Sequence, residues 1–151
     1  MPGVSSTIAV IHGPNLNLLG RRQPEIYGGA TLDQINLQLV ERGARRGFLV
    51  ETYQSNGEGA LVDLIQEVGF RCQAIVINPG AYTHTSVAIA DAISSVTALG
   101  IEVHLSNLHK REEFRRRSFV ASVCVGTVSG FGSLSYLLGL DAAMDLVESA
   151  P

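Results

Sequence analysis

Short apolar runs and amphipathic stretches alternate along the chain. Ile8 to Ile11 and Ala74 to Ile77 are continuously apolar, Phe48 to Tyr53 is rich in β-favouring residues, Ile101 to Ser106 alternates, and a last run spans Val123 to Val128. These read as strands, the unbroken ones as strands covered on both faces. Between them apolar residues recur at helical spacing. One set is Leu32, Ile35 and Leu39, ending at Gly47, and a second is Leu61, Leu64, Ile65 and Val68, ending at Gly69. A third runs from Val87 through Ile93 to about Ala98, and the last carries Leu134, Leu137, Leu138, Leu140 and Leu146. Thr31 with Gln34 three residues on has the form of a capping box, and Ser86 suits the cap of the third helix.

Five strands alternating with helices predict an α/β protein with a doubly wound, five-stranded parallel sheet of the flavodoxin type, order 2-1-3-4-5, with helices on both faces. Residues 1–151 read as a single domain without internal repeats. Three strands run into polar clusters: His12 to Asn17 after the first, Asn78 to Ser86 after the third, and His104 to Asn107 at the end of the fourth. Open α/β sheets keep their sites at these carboxyl ends. The stretch at about 20–29 holds Arg21, Arg22 and Tyr27 between glycines, the composition of a mobile lid carrying reactive groups.

In a strand, residues two apart share a face, so Glu102, His104 and Ser106 point one way. A carboxylate can then orient an imidazole and favour its protonated form, as a general acid requires. The same pattern also fits a His–Glu pair that only satisfies itself. Tyr27 lies five residues from Arg22, and an arginine within about 4–6 Å can lower a phenol pKa by about 1–3 pH units, enough to make a base of it. An ordinary loop tyrosine beside a solvated arginine fits as well. Asn15, Asn78, His84 and Ser106 offer hydrogen bonds at three strand ends, which suits a hydroxylated small acid, although asparagines also serve turns. Arg115, in the run Lys110 to Arg117, suits either a ligand oxygen or a solvated helix face.

Charged residues make up only 17% of the chain, a hint that other subunits cover some of its surface. A net charge of -3 and a pI near 5.7 argue against nucleic acid or an anionic membrane as partner. Cys72 and Cys124 lack metal or redox spacing, and no apolar stretch has the length of a membrane helix, so a reduced, cytoplasmic location is expected. The four histidines show no HExxH pattern, so no metal is expected, and neither a dinucleotide nor a P-loop motif follows the first strand.

Several separated motifs together resemble the type II 3-dehydroquinate dehydratases: GPNLNLLG, RRQPEIYG, QSN, NPGAYTHTSVA, EVHLSN and REEFRRRSF, in that order over nearly the whole chain. The resemblance implies a flavodoxin-like fold and trans-dehydration of 3-dehydroquinate to 3-dehydroshikimate through an enolate, with no cofactor. It implies Tyr27 as base, Arg22 as the partner of its phenolate, Asn15 holding a water against the enolate oxygen, and His104, oriented by Glu102, as the acid. It further implies that Asn78, the Leu105 backbone and Ser106 bind the substrate carboxylate, that His84 and Arg115 hold ring hydroxyls, and that Asp91 reaches a neighbouring subunit's site. Relatives form dodecamers of four trimers, so a homo-oligomer of that size is implied. His12, Gln23, Gly57 and Ser135 depart from the residues common at those positions. Lys110 is the only lysine and lies in a charged run, a poor place for the imine of the other dehydratase class. The same reaction in quinate breakdown, and a non-catalytic flavodoxin-like ligand-binding domain, are the alternatives.

Overall fold

Parallel pairing of five strands builds the sheet: β1 (Thr7–His12), β2 (Leu49–Gln54), β3 (Ala74–Asn78), β4 (Leu99–His104) and β5 (Gly126–Ser129), in the order β2-β1-β3-β4-β5. This computed structural model describes residues 5–21, 23–27 and 29–151. Five α-helices are found among them: α1 (Pro24–Tyr27), α2 (Leu32–Arg45), α3 (Glu58–Gly69), α4 (Val87–Ser95) and α5 (Leu134–Ser149). None of them is long and apolar enough to cross a membrane.

The alternation of side chains along each strand supplies two cores from one sheet. Ile8, Val10, Val76 and Val103 pack with Leu39 of α2 and Tyr136, Leu140 and Met144 of α5. Ala9, Ile11, Ile75 and Ile77 pack on the other face with Leu61 and Ile65 of α3 and Ile89 and Ile93 of α4. Helix α5 approaches β4 so closely that a Cβ at Gly139 would stand 2.5 Å from Val103 Cγ1.

The helix starts follow their caps. Thr31 accepts from the Gln34 amide while the Gln34 side chain accepts from the Thr31 amide, and the Ser86 hydroxyl accepts from the Ile89 amide. Four boundaries differ from the expectations. Helix α4 stops at Ser95 instead of about Ala98: Ser94 and Ser95 donate back to the Asp91 carbonyl, and Val96 turns extended to pack on Gly69. Strand β4 consequently starts at Leu99, ahead of the Ile101 expected from its alternation, and closes at His104, ahead of Ser106. The residues Ala121–Val123 form a 3-10 turn, so β5 begins at Gly126. Within the stretch expected to form a lid, Pro24 opens the helical turn α1, a position where its missing N–H costs nothing.

Candidate active site

The site lies where β1 and β3 diverge, at the point where the strand order reverses. Gly13 leaves β1 so close to β3 that a Cβ there would stand 2.7 Å from the Pro79 carbonyl carbon, and its amide donates to the Asn78 carbonyl at 2.8 Å. Asn15 follows with φ 68, in the left-handed region that asparagine tolerates better than most residues. Its amide donates to Asn56 Oδ1 at 2.9 Å and its carbonyl accepts from Leu18 at 3.0 Å, which ties the β1 loop to the β2 loop.

At the end of β4, Glu102 and His104 are both buried and share a face, as their spacing predicts. His104 Nε2 donates to Glu102 Oε2 at 2.5 Å. Glu102 also accepts from the Thr83 hydroxyl, and the Ser118 hydroxyl lies 3.0 Å from each of its carboxylate oxygens. Burial opposes the charge on Glu102, but the hydrogen bond and charge of His104, with the Thr83 and Ser118 donors, outweigh it and hold the carboxyl below its usual range. An ionised Glu102 fixes the ring through Nε2, which leaves Nδ1 as the ring nitrogen for a ligand.

A cavity of about 240 Å³ opens beside this pair. Asn15 from the β1 loop, Tyr27 from α1, Asn78 and His84 from β3 and the turn after it, His104 from the end of β4, Leu105 and Ser106 just beyond it, and Arg115 all line it. His84 Nδ1 donates to the Arg117 carbonyl at 2.7 Å, and burial, the largest influence, pulls its pKa below the ordinary histidine value. The ring is therefore neutral and offers Nε2 as an acceptor. Asn78 Oδ1 accepts from the Gly80 amide at 3.0 Å, which orients its amide.

Among the described residues, Glu102, which stands behind His104, and Asp91 are the expected site residues that do not line this cavity. Arg22 lies outside the described residues. Asp91 is exposed on α4 and does not line the cavity of its own chain.

Three groups escaped the sequence reading. In the sequence Arg111 belongs to a charged run, yet Leu108–Lys110 and Glu113–Arg116 are 3-10 turns that fold Arg111 and Arg115 onto the cavity. Its guanidinium stands 5.3 Å from the centre of the Tyr27 ring, and its Nη1 donates to Ser106 Oγ at 3.3 Å. Thr83 and Ser118, the donors to Glu102, come from segments with no local signal, since only the fold brings them together. His12, a departure from the family pattern, is wholly buried beneath the site.

Comparison with known proteins places the chain in a family. A model of the class II dehydroquinases matches residues 6–144, nearly the whole chain. The chain belongs to the class II dehydroquinase family. Among its relatives in this family, a 3-dehydroquinate dehydratase of Trichodesmium erythraeum is 56% identical over 142 residues, covering 94% of this chain and 95% of that protein. One of Geotalea daltonii is 51% identical, covering 93% of this chain and 98% of that protein. The crystal structure of a type II dehydroquinase from Butyrivibrio crossotus superposes with a TM-score of 0.91 at 46% identity, covering 94% of this chain and 99% of that one. The flavodoxin-like sheet and the order 2-1-3-4-5 are thus those of the class II dehydroquinases.

Proposed function

We propose that the chain is a hydro-lyase that dehydrates 3-dehydroquinate to 3-dehydroshikimate in aromatic amino-acid biosynthesis, with the acid and base of the reaction on β4 and α1. The observation that carries the reading is the meeting of Tyr27, Asn15 and the Glu102-held His104 in one cavity of about 240 Å³, a size suited to a single small acid. Relatives covering more than nine-tenths of the chain bear the name 3-dehydroquinate dehydratase.

Tyr27 removes the proton beside the ketone, and the electron pair of that C–H bond moves onto the ketone oxygen as an enolate. Arg22 and Arg111 are the cations assigned to its phenolate. Asn15 holds a water against the enolate oxygen, a dipole aimed at charge that exists only after proton removal. The enolate then collapses to the ketone, forms the ring double bond and expels the hydroxyl, which leaves as water on taking the proton of His104. Each acid or base role is worth about 10²–10⁴-fold in rate.

Asn78, the Leu105 backbone and Ser106 take the substrate carboxylate, and His84 with Arg115 takes the ring hydroxyls. Asp91 points to assembly: it lies exposed on its own α4, which suits a residue that completes the site of an adjoining protomer. Exposed Phe70, Val87, Phe114, Val125 and Phe131 supply apolar surface for such contacts, in keeping with a dodecamer of four trimers. The unpaired Cys72 and Cys124 suit a cytoplasmic location.

The test is the ultraviolet absorbance of the conjugated product when protein meets 3-dehydroquinate, with and without borohydride. A rise that borohydride does not affect is expected. Its abolition by borohydride would put an imine on Lys110, and no rise from folded protein would overturn the activity.

A further inference from the structure

His12 and Asn78 are register partners at the ends of the adjacent strands β1 and β3, and both are buried. Beneath them lies a line of polar groups running away from the cavity through the core. His12 Nδ1 is 2.7 Å from the Tyr136 hydroxyl, and His12 Nε2 is 2.7 Å from Asn36 Oδ1. Tyr136, on α5, is wholly buried and also bonded to the Asn78 side chain.

The chemistry of these groups leaves one arrangement of hydrogens. Asn36 Oδ1 can only accept, so His12 Nε2 carries the proton. Burial keeps the imidazole neutral, so Nδ1 must accept, and the Tyr136 hydroxyl must donate to it. The phenol oxygen is then left as an acceptor, which an N–H of Asn78 fills. Asn78 Oδ1 is already held by the Gly80 amide at 3.0 Å, so its amide cannot flip. The second N–H of Asn78 is then the remaining donor of a residue that lines the cavity.

We propose that His12, Tyr136 and Asn36 are positioning residues for substrate binding: a buried relay that holds Asn78 as a hydrogen-bond donor toward the bound carboxylate. The inference rests on the assignment of Asn78 to that carboxylate. The relay fixes direction as well as place. Were the Asn78 amide reversed, its oxygen would face an anion and repel it.

The test is steady-state kinetics of the full-length enzyme on 3-dehydroquinate for Tyr136→Phe, Asn78→Ala and the double variant. Loss of one orienting hydrogen bond should raise KM about tenfold for Tyr136→Phe and leave kcat within about threefold. In the Asn78→Ala background the same replacement should add nothing, because the group it orients is gone. An equal rise in KM in both backgrounds, an unchanged KM in folded Tyr136→Phe, or a fall in kcat alone would overturn the relay. If Asn78→Ala by itself leaves KM unchanged, the carboxylate assignment falls and the relay with it. Should Tyr136→Phe fail to fold, Asn36→Ala on α2 serves in its place, with an expected KM rise of about threefold that vanishes without Asn78; an unchanged KM in that variant would overturn the proposal.

Discussion

Glu102 Oε2 stands 2.5 Å from His104 Nε2, and the same carboxylate gathers the hydroxyls of Thr83 and Ser118. One anion thus orients the imidazole proposed as the acid and ties β4 to two loops. Glu102→Gln should lower kcat by about 10²–10⁴-fold, the range of a lost acid role. It should also destabilise the fold by about 1–3 kcal/mol, because the amide cannot satisfy all three donors. Product absorbance and urea unfolding of the same variant check the two effects.

Tyr27→Phe removes only the phenol oxygen from a ring that packs on the core. Turnover should fall by about 10²–10⁴-fold, while calorimetry should find the affinity for a non-reacting substrate analogue nearly unchanged. Retained turnover would remove Tyr27 from the role of base.

Acid should weaken the fold through two groups acting in the same direction. Burial, opposed by the bond to Asn36, takes the His12 pKa from 6.5 to about 4. The unfolded chain then binds more protons than the folded one between these values, so stability falls as the pH drops through that window, by an amount on the order of 3 kcal/mol. Glu102 adds to this at lower pH, since a carboxyl held below its usual 4.5 contributes stability above that value and loses it as the pH falls through the folded one. Urea unfolding across the window should give a slope in the wild type that is markedly shallower in His12→Gln, where His84 and Glu102 still contribute.

His84 should bind as a neutral ring. Its pKa is pulled below 6.5 chiefly by burial, so KM should stay level as the pH falls through that value and rise only further down. A KM that rises at the ordinary histidine value would contradict this.

Gly139→Ala should destabilise by about 1–3 kcal/mol despite the better helix propensity of alanine, because the added Cβ meets the stiff Val103 side chain at 2.5 Å. Gly59→Ala, on α3, has nothing within 4 Å of its Cβ and should gain about 0.4–1 kcal/mol. Thermal unfolding of the pair checks both signs.

The sheet order was legible because strand runs, caps and helical periods are local signals that agree with one another. The pair Glu102 and His104 was legible for the same reason, since two-residue spacing guarantees a shared face. Arg111 was not, because a run of charges looks alike whether it is solvated or folded over a cavity by 3-10 turns. Thr83, Ser118 and the group of His12, Tyr136 and Asn36 meet only after helices from distant parts of the chain have packed, and no window of sequence contains that encounter.

Asn15 carries two demands at one position. Its backbone, at φ 68, admits Gly, Asn and Asp with little strain. Its assigned work at the enolate calls for an uncharged polar side chain that can hold a water, which Gly lacks and an ionised Asp, repelling the enolate, cannot supply. The two sets overlap in a single residue type, so this position has no conservative replacement. A library that varies it and selects for turnover should return asparagine, while one that selects for folding alone should return glycine and aspartate beside it.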